Sequence, residues 1–360
     1  MTPILFATGG SGGHIYPALA SALEAQKQGF RCIFLGDKEG MEAKLVPEAG
    51  FEFYGVSAGK WRRGRPNPLE ALNAMRGVGE AVRVLHKLKP ALVFGFGGFA
   101  SFPALAAAKL LRRPYILHES NALPGKVTRW FAAGAKHIIV TQNAALKYLP
   151  DAEHSVIGFP VREERYTKES ARERLGLEKN AMVTLVMGGS QGSTSLNTHV
   201  PRAYKQLGTT TTVYHSTGKR WLNEVKQHIN NPSYILKDFV DAPLAWSAAD
   251  LAITRAGFGT LSEAAYYGVP CIMIPLPTAA ENHQLHNARA FAHQGAGWVL
   301  EEKHLSELAD IWRKALNQDT RQGASSAILQ LSPEGSSRQI VKVLEQVLQF
   351  QTPKLREEPV

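Results

Sequence analysis

Short apolar runs alternate with longer amphipathic stretches along this chain. Near-continuous apolar strands separated by helices are typical of parallel sheets covered on both faces. In the first half, the predicted strands are Pro3–Thr8, Arg31–Gly36, Ala91–Gly95, Pro114–His118, Lys136–Thr141 and Ser155–Gly158, and the predicted helices include Ala18–Gln28, Pro68–Leu88 and Phe102–Leu111. The pattern predicts an α/β fold.

The alternation restarts after a turn at Gly158–Arg162 and a charged stretch at Glu163–Lys179, which we interpret as a hinge. A chain of 360 residues is long for one core and sufficient for two domains. The later predicted strands are Ala181–Met187, Thr211–His215, Tyr234–Phe239, Asp250–Thr254 and Pro270–Pro275. We predict an N-terminal domain over residues 1–160 and a C-terminal domain over 161–335. Residues 336–360 are predicted to form a helix, which can pack back on the N-terminal domain, and a frayed tail.

Two glycine-rich turns lie about half a chain apart, at Thr8–His14 and Met187–Ser193. Each follows an apolar run and opens a helical stretch. A strand, a glycine turn and a helix together present backbone N–H groups and a positive dipole end to an anion. The repetition predicts two similar α/β domains that bind one phosphorylated ligand in a shared cleft.

The net charge of +10 is concentrated in residues 60–147, which hold 15 Lys or Arg and 3 Asp or Glu. A basic surface attracts the phosphates of nucleic acids, nucleotides or lipid headgroups, and a solvated basic face without a special partner is the alternative.

Cys32 and Cys271 lie in apolar runs and are predicted to be buried, reduced thiols. We see no signal peptide and no run long enough to span a membrane, and we expect a cytoplasmic protein.

Three groups of side chains are candidates for chemistry. His14 ends the first turn, before a helix that we expect to start at Pro17, and its imidazole suits proton transfer, although a capping role is also open. Glu263, six residues after Gly257, can accept hydrogen bonds from ribose hydroxyls, or it is simply an acid in the first turn of a helix. Amides in the stretch Asn282–Asn287 suit sugar hydroxyls, with a solvated polar face as the alternative.

Seven segments match the motifs of one known family in the same order along the chain. They are Gly9–Pro17, Gly95–Gly98, His118–Asn121, Gly158–Arg162, Gly188–Gly192, Arg255–Glu263 and Asn282–Asn287. Together they resemble the MurG family, the N-acetylglucosaminyltransferases of peptidoglycan synthesis that act on membrane lipid I. The resemblance implies two Rossmann-like, doubly wound domains that face a central cleft, the GT-B type of glycosyltransferase. It implies an inverting transfer of GlcNAc from UDP-GlcNAc to the 4-hydroxyl of MurNAc in undecaprenyl-pyrophosphoryl-MurNAc-pentapeptide, which gives lipid II.

The resemblance also implies roles for individual residues. Contacts with UDP-GlcNAc are implied for Ser11, Gly12, Gly13, Asn121, Arg162, Ser190, Gln191, Gly192, Val240, Phe258, Gly259, Thr260, Glu263, His283, Gln284 and Asn287. Among these, Glu263 would bind the ribose and Ser190 and Gln191 the diphosphate. Gly9, Gly10, Gly95, Gly97 and Gly98 would hold the acceptor diphosphate. His14 is the implied base and Glu119 its substitute, with no cofactor and no metal, because the chain has no Asp-x-Asp motif.

The expected partners are UDP-GlcNAc, lipid I, anionic phospholipid and proteins of cell-wall synthesis and division, but no nucleic acid. We expect a peripheral protein on the cytoplasmic face of the plasma membrane. In the basic region, Trp61–Arg65, Arg76, Arg83, Lys87, Lys89, Arg112, Arg113 and Arg129 accompany Leu69, Leu72, Val82, Leu85, Leu110, Leu111, Trp130 and Phe131. Such a mixture suits peripheral contact with anionic lipid, although many of the apolar side chains are needed by the core.

Three other functions remain open from the residues alone. A UDP-GlcNAc epimerase, or another glycosyltransferase of the same fold, would use the donor but not lipid I. A nucleic-acid-binding protein fits the pI of about 9.5, but the basic run lacks interleaved aromatic residues for base stacking. A nicotinamide-dependent dehydrogenase would use Asp37 on the ribose and would leave the second glycine turn without a role.

Overall fold

The protein is described by a computed structural model over residues 1–59, 68–189, 191–208, 211–279 and 282–349. It divides into two compact units. Unit 1 comprises Met1–Val161 and the C-terminal segment that begins at Glu334. Unit 2 comprises Arg162–Pro333.

Unit 1 is built on a seven-stranded sheet of order β3-β2-β1-β4-β5-β6-β7, in which every pairing is parallel. The strands are β1 (Pro3–Ala7), β2 (Arg31–Asp37), β3 (Glu52–Val56), β4 (Leu92–Gly95), β5 (Tyr115–Glu119), β6 (Ile138–Val140) and β7 (His154–Val156). The helices of this unit are α1 (Gly12–Lys27), α2 (Glu42–Glu48), α3 (Pro68–Leu88), α4 (Phe102–Leu110), α5 (Lys126–Phe131) and, from the C-terminal segment, α14 (Ser336–Gln349). From β1, strands β2 and β3 extend the sheet in one direction, and strands β4 to β7 extend it in the other. The topological switch point of the sheet therefore lies between β1 and β4.

Both faces of this sheet are buried, as its near-continuous apolar strands predict. Side chains alternate between two cores along β1, since Ile4 and Phe6 join one cluster while Leu5 and Ala7 join the other. The first cluster also contains Ile340 and Leu344 of α14, and α14 packs against α1. The C-terminal helix is therefore part of the core of unit 1.

Unit 2 repeats the plan with a six-stranded sheet of order β10-β9-β8-β11-β12-β13, again with parallel pairing throughout. Its strands are β8 (Val183–Met187), β9 (Thr212–Ser216), β10 (Tyr234–Lys237), β11 (Leu251–Thr254), β12 (Cys271–Met273) and β13 (Gly297–Val299). Its helices are α6 (Lys168–Leu175), α7 (Thr194–Leu207), α8 (Leu222–His228), α9 (Ala242–Ala248), α10 (Phe258–Tyr267), α11 (His283–His293), α12 (Leu308–Leu316) and α13 (Gln318–Leu329). The switch point lies between β8 and β11.

The sequence prediction of the first helix is wrong at its start. Helix α1 begins at Gly12 rather than at Pro17 or Ala18, and Pro17 lies inside it. Pro17 is the sixth residue of the helix, so it lacks the N–H group that would bond to the Gly13 carbonyl oxygen, and the helix continues past it despite this missing bond. His14 consequently belongs to the first turn of α1 rather than to the loop before it.

Two edge strands, β3 and β13, are missing from the sequence prediction. Strand β3 is half exposed and reads Glu-Phe-Tyr-Gly-Val, so it lacks the apolar run of a central strand. Strand β13 has three residues, all partly exposed. Both free thiols, Cys32 and Cys271, are buried, as predicted. Within the described ranges, no helix has both the length and the apolar character needed to cross a membrane.

Candidate functional site

The switch point of unit 1 brings the two predicted turns of this unit together. Strands β1 and β4 are hydrogen-bonded neighbours, with Ala7 beside Gly95, so the loops that follow them leave the same edge of the sheet. A Cβ atom at Gly98 would lie 2.4 Å from the Gly9 carbonyl oxygen, and one at Gly97 would lie 3.3 Å from Cδ2 of His14. Gly97 and Gly98 also have φ angles of 81° and 75°, which side chains disfavour. Glycine is therefore needed at both positions.

His14 is held at the start of α1 by short polar contacts. Thr8 Oγ1 donates to the His14 carbonyl oxygen at 2.7 Å, and Ser11 Oγ lies 3.0 Å from His14 Nδ1. Burial lowers the pKa of His14, while the nearby Glu119 carboxylate and a hydrogen bond with the Gly9 backbone act in the opposite direction. The neutral imidazole, which can accept a proton, is thus the favoured form at neutral pH.

Glu119, the substitute base of the sequence prediction, is buried at the end of β5 and organises the following loop. One carboxylate oxygen accepts from the Asn121 backbone N–H at 2.9 Å and from the Asn121 side-chain amide at 2.8 Å. The other accepts from the Gly125 N–H at 2.9 Å and from the Thr128 hydroxyl at 2.8 Å. Because four donors already occupy this carboxylate, the geometry favours an orienting role, and its role as a base stays a prediction.

Two buried polar residues of unit 1, His118 and Glu42, lie beside the predicted site residues but are not among them. Burial and the neighbouring His14 lower the pKa of His118 to about 3, and its ring centroid lies 5.1 Å from that of Phe96. Glu42, at the start of α2, has no exposed surface, and burial raises its pKa. The sequence signal for Glu42 is weak, since it consists of two nearby glycines, Gly36 at the end of β2 and Gly40 between β2 and α2.

In unit 2, the second glycine turn connects β8 to α7. A Cβ atom at Gly192 would lie 2.0 Å from the Thr217 carbonyl oxygen, and the φ angle of Gly192 is 74°, so the turn needs glycine there. Ser193 caps α7 and accepts from the Leu196 N–H at 3.4 Å. Gln191 is exposed beside the start of this helix. Ser190, the predicted diphosphate ligand, lies outside the described residues.

The loop after β11 is the neighbour of this turn, because β8 and β11 pair with Met187 beside Thr254. Gly257 is the N-cap of α10, whose first turn contains the predicted donor contacts Phe258, Gly259 and Thr260, all partly exposed. Arg255 fixes this loop, since its guanidinium donates to the Ile274 carbonyl oxygen at 3.2 Å and pairs with Glu302. The predicted contacts on the two loops therefore lie at the switch point of unit 2.

Glu263 lies one turn further along α10 and is partly exposed. Trp246 Nε1 donates to its carboxylate at 3.2 Å. Burial raises the pKa of Glu263 to about 7, although the hydrogen bond from Trp246 opposes the shift. A carboxylate with this pKa gains stabilisation from additional hydroxyl donors, such as those of a ribose.

The predicted sugar-binding amides anchor α11 to the loops of unit 2. Gln284 Oε1 accepts from the Leu276 N–H at 3.0 Å, and Asn287 Nδ2 donates to the Ala256 carbonyl oxygen at 3.2 Å. Within the described part of the chain, these bonds leave Gln284 Nε2 and Asn287 Oδ1 for a ligand. His283 is the first residue of α11.

Two further predicted contacts of unit 2 lie apart from these loops in sequence. Arg162, the first residue of the unit, forms an ion pair with Glu164. Val240 is buried, whereas the preceding Phe239 is 60% exposed just beyond β10, an exposure that the sequence did not reveal. Among the described residues, no group of three or more His, Cys, Asp and Glu side chains could hold a metal ion.

Comparison with known proteins identifies the family. Residues 4–140 match the glycosyltransferase family 28 N-terminal domain, and residues 183–339 match the corresponding C-terminal domain. Over 97% of this chain and 99% of the relative, the sequence is 41% identical to the UDP-N-acetylglucosamine--N-acetylmuramyl-(pentapeptide) pyrophosphoryl-undecaprenol N-acetylglucosamine transferase of Deinococcus deserti. The chain belongs to this transferase family.

A second member of the family, the transferase of the same name from Thermus thermophilus, is 39% identical over 96% of this chain and 100% of its own length. The crystal structure of Acinetobacter baumannii MurG matches with a TM-score of 0.73 and 26% identity, over 96% of this chain and all of that one. The calicheamicin glycosyltransferase CalG4 shares the fold, with a TM-score of 0.68 at 17% identity over 98% of this chain and 100% of its own. The resemblance seen in the sequence and the predicted α/β fold with two parallel sheets are thereby confirmed.

Proposed function

We propose that this chain is an inverting glycosyltransferase that moves GlcNAc from UDP-GlcNAc to the 4-hydroxyl of MurNAc in lipid I, with lipid II as the product. The observation that carries the proposal is the clustering of family-type residues at the two switch points. At the switch point of unit 1 lie His14 and two glycine turns. At the switch point of unit 2 lie a glycine turn and the start of α10. Switch points are where doubly wound sheets bind their ligands.

Unit 2 would hold the donor. Backbone N–H groups at the start of α7 and the helix dipole would receive the diphosphate, and Glu263 would accept hydrogen bonds from the ribose hydroxyls. Val240 would offer its backbone to the uracil, and Gln284 and Asn287 would bind the sugar. Donors fixed before the reaction begins would stabilise the charge that develops on the leaving UDP.

Unit 1 would hold the acceptor. The turns at Gly9–Gly10 and Gly95–Gly98 would bind the acceptor diphosphate beside His14. His14, neutral because burial lowers its pKa, would take the proton of the attacking hydroxyl as that oxygen bonds to the anomeric carbon opposite UDP. Glu119 would orient the loop that carries Asn121, by the four hydrogen bonds described above.

The membrane surface would be met by an apolar patch of unit 1, which we define as Leu69, Leu72 and Met75 on α3, Leu110 on α4 and Trp130 on α5. Their side chains are between 47% and 71% exposed. Exposed cations accompany them, including Lys109, Arg112 and Arg129, and cations near an anionic surface contribute about 1 kcal/mol each. Leu85 and Phe131, two apolar candidates from the sequence, belong to the core instead. Trp61–Arg65 lies outside the described residues.

A coupled assay of UDP release tests the proposed reaction. We expect UDP to be released from UDP-GlcNAc at a rate that depends on a short-chain lipid I analogue. An epimerase would release UDP, or interconvert the sugar, without any acceptor. Equal rates with and without the analogue, or free epimerised sugar as the product, would contradict the proposal.

A further inference from the structure

Glu42 lies beneath the first glycine turn of unit 1, although it belongs to α2. Its Oε1 accepts from the Asp37 N–H at 2.9 Å, and its Oε2 lies 3.4 Å from the Gly10 nitrogen, which donates to it. The side chain is completely buried. One carboxylate thus joins the turn after β1 to the end of β2.

The space for this carboxyl group exists because the surrounding positions are glycines. A Cβ atom at Gly9 would lie 1.8 Å from Glu42 Oε1, one at Gly40 would lie 2.4 Å from Oε2, and one at Gly36 would lie 2.8 Å from Cγ. These distances are far below van der Waals contact. A side chain at any of the three positions would displace Glu42, so the sequence around the turn is matched to this carboxylate.

A buried carboxylate at this place is costly for the fold. Burial raises the pKa of Glu42, hydrogen bonds with the backbones of Glu42 itself, Asp37 and Gly10 oppose the shift, and the Asp37 charge adds to it. An apolar or amide side chain of similar volume would avoid that cost. A negative charge beneath a turn that binds a diphosphate also repels the ligand. Neither fold stability nor electrostatic attraction of the ligand therefore explains why a carboxylate is present at position 42. The hydrogen bond from the Gly10 N–H to this carboxylate does explain it.

We infer that Glu42 is a positioning residue for the acceptor: its carboxylate holds the first glycine turn in the shape that binds the acceptor diphosphate. The inference rests on the proposed function. By engaging the Gly10 N–H, Glu42 sets the direction in which the chain enters α1. The backbone at Gly9 and Gly10, which would bind the acceptor diphosphate, is thereby held in one shape before the ligand arrives.

The variant Glu42→Gln tests the inference, because the amide has one acceptor oxygen and one NH₂ group. It can accept from only one of the two backbone N–H groups and must present donors to the other. We expect KM for a short-chain lipid I analogue to rise about tenfold, the scale of one hydrogen bond to a charged group, while KM for UDP-GlcNAc stays within about twofold. Glu48→Gln is the matched control, since Glu48 is an exposed carboxylate at the other end of α2.

Two results would overturn the inference. An acceptor KM in Glu42→Gln equal to that of Glu48→Gln would show that the turn does not depend on the carboxylate. A lower acceptor KM would show that charge repulsion, rather than positioning, is the effect of Glu42. Either result leaves acceptor-dependent transfer by the unmodified protein intact, whereas a lack of that transfer would refute the proposed function itself.

A second variant keeps the test decisive if Glu42→Gln does not fold. Glu42→Asp retains the charge but is shorter by one methylene group, so its carboxylate cannot span both N–H groups. We expect the same rise in acceptor KM with an unchanged donor KM. An acceptor KM equal to that of Glu48→Gln in this variant would also overturn the inference.

Discussion

At the scale of single residues, the proposed chemistry depends on two titratable side chains, one in each unit. His14 is held between Ser11 and the Gly97–Gly98 turn and favours the neutral form. Glu263 accepts from Trp246 and has a pKa raised to about 7. The first suits removal of a proton and the second suits a ligand rich in hydroxyl donors.

Replacement of His14 tests its role as the base. We expect His14→Ala to lower kcat by about 10²–10⁴-fold, because general base catalysis contributes that much, with little change in donor KM. His154→Ala, which removes an exposed histidine of the same unit, serves as the control. Turnover of His14→Ala close to that of the control would remove His14 from the mechanism.

The lowered pKa of His14 also predicts how the rate depends on pH. A histidine with a depressed pKa stays neutral below its usual value of 6.5 and becomes protonated only under more acidic conditions. At saturating UDP-GlcNAc, the acidic limb of the kcat profile should therefore fall below pH 6.5. A limb centred above pH 6.5 would be incompatible with His14 as the titrating base.

Replacement of Glu263 tests the donor site. We expect Glu263→Gln to raise KM for UDP-GlcNAc by about tenfold, because one hydrogen bond between a charged acceptor and a ribose hydroxyl is lost. The KM for the acceptor should not change. Glu307→Gln, an exposed residue of unit 2, is the control, and an equal donor KM in the two variants would refute the ribose role.

The same variant should be more stable than the parent at alkaline pH. A carboxyl group whose pKa is raised on folding favours the fold only while it is protonated, and that contribution is lost as pH rises from about 4.5 through about 7. Thermal unfolding of Glu263→Gln should therefore show a higher Tm than the parent at pH 8 and a similar Tm at pH 4. A lower Tm at pH 8 would contradict the raised pKa of Glu263.

At the scale of elements, apolar side chains of α3 that look alike in the sequence differ in burial: some belong to the exposed apolar patch and others to the core. On α3, the sequence suggests Leu69, Leu72, Val82 and Leu85 for the membrane. Leu85 is buried and Val82 packs against the core, whereas the exposed Met75 is not among the predicted residues. The spacing of apolar residues predicts the helix, but it does not show which of these residues are buried by a second helix. Here α4 packs against α3, and that contact is a tertiary property.

The exposed face of α3 gives a direct test of membrane contact. The double variant Leu72→Ser/Met75→Ser should bind vesicles of anionic phospholipid about tenfold more weakly, because it loses apolar area that the bilayer would bury. Its Tm should not fall, since both side chains are exposed. Leu329→Ser, an exposed leucine of unit 2, is the control. Equal vesicle binding by the two variants would count against the patch.

The elements also show what sequence patterns can predict. Central strands such as β1 and β8 were predicted because burial on both faces makes them continuously apolar. Edge strands β3 and β13 were missed because partial exposure removes that signal. The sequence places the start of α1 too late, because proline usually marks a helix boundary, whereas this helix accommodates Pro17.

At the scale of the whole molecule, the sequence contained most of the candidate site. The glycine turns, His14 and Glu263 were recognisable because each follows a predicted strand or begins a predicted helix. Glu42 was not, because its function depends on a carboxyl group that reaches back from α2 to the Gly10 N–H, and only the packed structure brings the two together. Contacts between residues that are far apart in the sequence cannot be predicted from the local pattern of apolar and polar residues.

The structure of the product is the most direct test of the central claim that this chain joins GlcNAc to the muramyl sugar of lipid I. Unlabelled UDP-GlcNAc and a short-chain lipid I analogue should yield one disaccharide, with its mass increased by one GlcNAc residue. Its NMR spectrum should show a β-linkage to O4 of MurNAc, as inversion of the donor's α-anomer requires. An α-linkage, attachment at another hydroxyl, or GlcNAc released to water without a disaccharide would contradict the account.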